Sequence, residues 1–155
     1  MSTSGTGPGV TEEKGRVLGL DYGSRTVGVA VCDPMRLSVR ELEIIRRKEE
    51  THLRATYRRI EELIGEYSVR ELVLGLPLNM DGSMGERAEK TLSFRDELLR
   101  RLHVEVHLMD ERLTTVEAEE AMAMSGVRRK DYKKKVDAVA AAIILQDWLE
   151  QHGDD

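Results

Sequence analysis

The feature that most constrains the fold of this chain is a pair of short apolar runs separated by a tight turn. The first run is Val17–Leu20, the second is Thr26–Val31, and turn formers lie between them. Such runs predict two buried strands joined as an antiparallel hairpin. Asp21 follows the first run directly. A carboxylate at that position is expected to bind a cation or to accept N–H groups, because a lone buried charge is costly.

The remaining apolar patterns predict further strands and helices in an α/β order. A third strand is predicted over residues 37–45, and later strands over 71–76 and 104–109. The predicted helices cover residues 49–67, 86–102, 115–125 and 132–151. Three meandering strands followed by crossover units predict a sheet whose first strand is central and whose ligands collect at the carboxyl ends of its parallel strands.

Length and composition favour a single domain in a reducing compartment. The chain has 155 residues and one cysteine, Cys32, so it can form no internal disulfide. We expect a disordered tail over residues 1–14, one domain over 15–150 and a short tail over 151–155. The sequence has no apolar stretch of membrane-spanning length, and a cytoplasmic location is predicted. The net charge of −5 argues against nucleic-acid binding by the whole surface, although it says little about local patches.

Acidic residues follow two of the predicted parallel strands, and another acidic residue interrupts the last helix. Asp21 ends the first strand, Asp110 and Glu111 follow the fifth, and Asp137 precedes an alanine-rich apolar segment. If the two strands are neighbours, their carboxylates share one edge of the sheet. Each residue also has an ordinary structural interpretation: Asp21 could cap its turn, and Glu111 could be an exposed residue with which Asp110 competes as a ligand.

Asp137 could likewise form an ordinary helical ion pair with Lys133 or Lys134. If the acids do converge, divalent cations would relieve their mutual repulsion. A set of oxygen ligands without histidine favours Mg²⁺ or Mn²⁺ over zinc. Two such ions can activate a water and stabilise the leaving oxygen of a phosphodiester.

A strongly basic run lies just before Asp137. Its cationic members are Arg128, Arg129, Lys130, Lys133, Lys134 and Lys135. Such a run is often only a solvated surface, but beside an acidic site it is expected to hold phosphates. Arg25 and Arg112 are candidates for further phosphate contacts, and Asn79 is a candidate in the loop before the second helix.

Four segments in order resemble the YqgF/RuvX family, whose members are described as Holliday junction resolvase-like proteins and as pre-16S rRNA nucleases. The segments are Leu18–Val31, Val73–Asn79 with Gly82, Asp110–Thr115 and Lys135–Ala142. The resemblance implies a ribonuclease-H-like fold, with a five-stranded mixed sheet and helices on both faces.

The same resemblance implies a metal-dependent nuclease with Asp21, Glu111 and Asp137 as catalytic metal ligands and Mg²⁺ or Mn²⁺ as cofactor. Structured RNA, such as the 5′ end of pre-16S rRNA, or branched DNA is the implied substrate. The expected assembly is a monomer or a weak homodimer.

Two other classes of function stay open on the sequence. A non-catalytic nucleic-acid-binding or ribosome-assembly module could use the same fold. A sugar-kinase-like or actin-like ATPase is also suggested, because the hairpin resembles the first phosphate loop of that superfamily. Those ATPases need two related domains around the nucleotide, and this chain has room for one.

Overall fold

A computed structural model describes residues 13–111 and 114–152 of the chain, without the side chains of residues 114–116 and 133. The strands are β1 (Arg16–Tyr22), β2 (Thr26–Cys32), β3 (Val39–Arg46), β4 (Val69–Leu76) and β5 (Glu105–Asp110). The helices are α1 (Arg54–Tyr67), α2 (Glu86–Arg101), α3 (Thr114–Met124) and α4 (Tyr132–His152), with a 3₁₀ turn over Arg129–Asp131.

The strands form one mixed sheet in the order β3-β2-β1-β4-β5. β1 pairs antiparallel with β2 and parallel with β4, so the predicted central position of the first strand is confirmed. β5 runs parallel to β4. The carboxyl ends of β1, β4 and β5 therefore meet at one edge of the sheet, which we call the carboxyl edge.

Alternation along β1 assigns its side chains to the two faces of the sheet. Leu18, Leu20 and Tyr22 lie in the core cluster that includes α1 and α2, whereas Val17 lies in the cluster with α4. Asp21 belongs by alternation to the α4 face. α3 packs on α4 through a separate small cluster. Helices thus cover both faces, and the predicted fold class is confirmed.

The start of α1 is the main difference from the sequence prediction, and the other helix boundaries agree to within one residue. α1 begins at Arg54 and not at residue 49, because the preceding segment is held in turns: Arg47 Nε donates to the carbonyl oxygen of Glu50 (3.1 Å). The Glu50 carboxylate in turn binds residues of α2. α4 continues through His152, into the segment assigned to the C-terminal tail. The predicted N-terminal tail lies almost wholly outside the described residues. No helix within the described ranges is long and apolar enough to cross a bilayer.

Candidate active site

The carboxylates of Asp21 and Glu111 meet at the carboxyl edge. Asp21 is the penultimate residue of β1, and Glu111 follows the last residue of β5. The Glu111 backbone N–H donates to the carbonyl oxygen of Leu76 (3.0 Å), which extends the β4–β5 pairing by one step. This places the Glu111 side chain where it hydrogen bonds to Asp21. The parallel strands β1 and β5 are separated only by β4, and they therefore bring together acids that are distant in sequence.

Asp137 reaches the same place from the first turns of α4. Thr26 Oγ1, at the start of β2, donates a hydrogen bond of 2.5 Å to Asp137 Oδ2. The charge of Asp137 also contributes to raising the pKa values of both Asp21 and Glu111. The three predicted acids are therefore brought together. Asp110, the competing candidate, is exposed at the end of β5.

Glycines in three adjacent strands create the space for this arrangement. A Cβ atom on Gly28 would lie 1.9 Å from the carbonyl oxygen of Asp137, so α4 lies directly on the β2 backbone there. A Cβ atom on Gly75 would lie 2.8 Å from Glu111 Cδ. One on Gly19 would lie 2.7 Å from the backbone of α4. Glycine inside a strand often marks a close backbone approach, and here it admits the helix and the carboxylates.

The half-buried acid pair has raised pKa values in the metal-free protein. Burial is the main cause that raises the pKa of Asp21 and of Glu111, and mutual repulsion with neighbouring carboxylates adds to it. The hydrogen bond between them lowers the pKa of Asp21 and raises that of Glu111. Glu111 is therefore the proton donor in this pair. A cation that neutralises the cluster has to displace that proton.

Arg87, in the first turn of α2, is a site residue that the sequence analysis missed. Its positive charge lowers the pKa values of Asp21 and Glu111, against the larger effect of burial. The guanidinium is held by the Glu50 carboxylate (2.9 Å) and lies over the ring of Tyr22, 5.1 Å from its centroid. No motif singled out this arginine, because Glu50 and Tyr22 meet α2 only in the folded chain.

The basic run surrounds the start of α4. Arg128, Arg129, Lys130, Lys134 and Lys135 are all exposed. The carbonyl oxygen of Lys134 lies 3.5 Å from Arg46 Nη2 at the end of β3, so α4 starts near the carboxyl edge. Arg128 Nε lies 3.8 Å from Asp131 Oδ2.

The remaining predicted contacts have different outcomes. Arg25 is exposed in the β1–β2 turn, close in sequence to Asp21. Arg112 and the side chain of Lys133 lie outside the described residues. Asn79 organises its own loop: its Nδ2 donates to Ser83 Oγ (3.0 Å), and its backbone N–H donates to the Ser83 carbonyl (2.8 Å). Asn79 therefore stabilises the loop between β4 and α2. Part of its hydrogen-bonding capacity is already used within that loop.

A second group of possible ligands lies toward the opposite end of β4 and β5. Glu71, Glu105 and His107 each offer one atom, and these atoms lie within 4.8 Å of one another. However, Glu71 already accepts hydrogen bonds from Arg36 Nη2 (2.6 Å) and pairs with His107 Nε2 (2.7 Å). These contacts are those of a structural ion-pair network.

Comparisons with known proteins agree with this fold and with the suggested family. A family model described as RuvX, Holliday junction resolvase, matches residues 15–151. A protein of Agathobacter rectalis described as a candidate pre-16S rRNA nuclease is 52% identical over 135 residues, covering 87% of this chain and 94% of that protein. A protein of the same description from Lachnospira eligens is 48% identical, covering 87% and 96%.

Solved structures of junction resolvases share the fold at low sequence identity. Thermus thermophilus RuvC in complex with a Holliday junction gives a TM-score of 0.56 at 17% identity, covering 89% of this chain and 96% of that one. The fowlpox virus resolvase in complex with junction DNA gives 0.55 at 11%, covering 88% and 98%. The fold, the family match along nearly the whole domain and the close relatives agree, and the chain belongs to the RuvX family of resolvase-like nucleases.

Proposed function

We propose that this protein hydrolyses phosphodiester bonds with divalent cations held by Asp21, Glu111 and Asp137. The observation that carries the proposal is the convergence of these three carboxylates, all half-buried and two of them hydrogen bonded to each other. Carboxylates that raise one another's pKa values destabilise the metal-free protein, and such perturbed groups are typical of functional sites.

The donor set fits Mg²⁺ or Mn²⁺. Its side-chain ligands are carboxylate oxygens, which hard cations prefer. Cations bound there would supply the charge that activates an attacking water and stabilises the leaving oxygen. Because ligation requires ionised carboxylates, binding releases the proton that Glu111 holds in the free protein.

The protein's own groups orient the reaction. Thr26 holds the Asp137 carboxylate in place through its hydrogen bond. Arg87 supplies a fixed positive charge beside the acids, suited to a phosphate oxygen whose charge increases in the transition state. Lys134, Lys135 and the rest of the exposed basic run would bind flanking phosphates.

The preferred substrate in this proposal is the 5′ leader of pre-16S rRNA, and a cytoplasmic location follows from that role. Support comes from relatives that are described as candidate pre-16S rRNA nucleases and are about half identical to this chain. Branched DNA is the second candidate, because the family description names a Holliday junction resolvase.

Cleavage of a precursor rRNA leader and of a four-way DNA junction, compared side by side with Mg²⁺ or Mn²⁺, tests the proposal. We expect the wild type to cleave the leader faster, and Asp21→Asn to lose at least about 10²-fold in kcat, since it removes an ionised ligand. Equal cleavage by wild type and Asp21→Asn would contradict the site. Binding without acid-dependent turnover would identify a non-catalytic module, and preferential junction cleavage would assign the DNA substrate.

A further inference from the structure

A groove runs between the segment 50–58 and α2, on the face of the sheet opposite α4. Three adjoining cavities of about 390, 550 and 550 Å³ form it. Arg54 lines all three, and Tyr57 and Arg58 each line two. Because the cavities share these residues, they are parts of one continuous surface.

The groove carries two arginines that have no acidic partner among the described residues. Arg54 and Arg58 are both exposed on α1, one helical turn apart, and neither occurs in the ion pairs of the described structure. Like charges at this spacing cost the helix a little stability. Arg54 also lies in the first turn of α1, where a positive charge interacts unfavourably with the helix dipole. No acidic residue in that turn compensates for it. Helix stability therefore does not account for these arginines.

The groove also contains acids, and most of them are already neutralised. Glu50 binds Arg87 (2.9 Å) and Lys90 (3.0 Å). Glu97 binds Arg101 (2.6 Å), whose guanidinium lies over the ring of Tyr57 at 4.6 Å from the centroid. Glu61 is the remaining acid of the lining. The uncompensated charge of the groove is therefore positive and is concentrated at Arg54 and Arg58.

One end of the groove lies beside the acid cluster. Glu50 lines the portion of the groove that also contains Tyr22, and Glu50 binds Arg87 (2.9 Å), whose charge acts on Asp21 and Glu111. Lys90 lines the same portion, one helical turn from Arg87. A polymer that enters the groove can thus continue past Arg87 to the carboxylates.

We propose that this groove binds the single-stranded segment that adjoins the cleavage site of the nucleic-acid substrate. This inference rests on the proposed nuclease function and adds a binding surface to it. The arginines on the rim suit phosphates, while the half-buried Leu53 offers apolar surface to a base or sugar. Backbone contacts dominate, so binding has little sequence preference and weakens steeply with salt.

Binding of a fluorescent single-stranded RNA by the Asp21→Asn protein, followed by anisotropy over a series of salt concentrations, tests the groove. Relative to the Asp21→Asn protein, the protein that also carries Arg54→Ala and Arg58→Ala should bind about tenfold more weakly near 0.1 M salt. Those two substitutions should also reduce the salt slope by about 1.4, or about 0.7 per lost phosphate contact. The matched control adds Arg40→Ala and Arg70→Ala, which remove two exposed arginines near the start of β3 and β4. That control should change affinity by less than about twofold.

Kinetics in the active protein give a second measurement. Arg54→Ala with Arg58→Ala should raise KM for a substrate with a single-stranded flank and leave kcat nearly unchanged. It should have little effect on a blunt duplex. Equal affinities of the two double variants for single strands, or equal losses on blunt duplex and flanked substrate, would overturn the groove. Because binding is measured without turnover, a failure of the nuclease proposal would appear separately, as cleavage that survives Asp21→Asn.

Discussion

At the scale of single residues, the site depends on a pair of carboxylates whose ionised forms are destabilised by partial burial. The protonated Glu111 carboxyl donates a hydrogen bond to Asp21, and Asp137 lies near enough to raise the pKa of both. Neutralising any of these carboxylates relieves their mutual repulsion and stabilises the folded protein. Metal binding, however, requires them to be ionised. The requirements of function and of stability therefore conflict at these positions.

Thr26 tests how tightly Asp137 has to be oriented. Thr26→Val keeps the shape of the side chain but removes the donor of the 2.5 Å hydrogen bond. We expect Mg²⁺ affinity or activity to fall about 10-fold to 100-fold, as for other residues that orient a metal ligand. Thr26→Ser, which retains the hydroxyl, should stay near the wild type. Activity measured against Mg²⁺ concentration compares the two, and equal behaviour would show that the hydroxyl has no orienting role.

At the scale of elements, α4 determines where the third acid lies. Its small residues pack against β1 and β2, and Gly28 lies directly beneath the backbone of Asp137. The sheet therefore has to provide a strip without side chains under this helix. The position of Asp137 is a consequence of that close packing.

Gly28→Ala should displace the start of α4. The added Cβ would lie 1.9 Å from the Asp137 carbonyl oxygen, and a backbone atom cannot swing aside as a side chain can. We expect a loss of about 1–3 kcal/mol in the free energy of unfolding, together with lower activity.

Gly65→Ala is the matched control for this substitution. Gly65 lies in α1 with no atom within 4 Å of an added Cβ, so the change should stabilise the protein by up to about 1 kcal/mol. Urea denaturation of both variants measures the difference. A Gly28→Ala protein as stable and active as the wild type would contradict close packing at this position.

At the scale of the whole molecule, the distribution of charge matters more than its sum. The net charge is −5, yet the acids of the site are half-buried at the carboxyl edge. Exposed cations of the basic run lie on the α4 side of that edge, and Arg54 and Arg58 lie on the α1 side. A substrate that crosses the edge can meet positive charge on both sides.

The pH dependence of stability follows from the acid pair. Because Asp21 and Glu111 have raised pKa values in the folded protein, their stabilising contribution is complete below the ordinary values of 3.8 and 4.5. That contribution is lost as the pH rises through the folded pKa values. Without metal, Asp21→Asn should therefore become more stable relative to the wild type, by about 2 kcal/mol, as the pH rises from about 4 through the folded pKa of Asp21, which is about 6.

Chemical denaturation in EDTA at several pH values measures this gain, since titrating groups that do not interact with Asp21 cancel in the difference. Added Mg²⁺ should stabilise the wild type more than the variant at pH 8. A difference between the two proteins that does not vary with pH would contradict the raised pKa values.

The order of strands and helices, the central first strand and the family could be predicted from the chain because they depend on local periodicity and on motifs along the sequence. The same local signals singled out Asp21, Asp137 and the pair Asp110 and Glu111 as candidates, and the family resemblance favoured Glu111 within that pair. They placed the start of α1 too early, because Arg47 and Glu50 are held by distant partners that no local pattern reveals.

By itself, the sequence determined the mixed sheet with helices on both faces and the three acids that a shared edge could unite. Only the tertiary structure decided that Glu111 hydrogen bonds to Asp21, that Thr26 holds Asp137, and that Arg87 and the α1–α2 groove adjoin the site. The physical reason is that strand and helix patterns are local, whereas burial, repulsion and hydrogen bonding act between side chains that only the packed chain brings together.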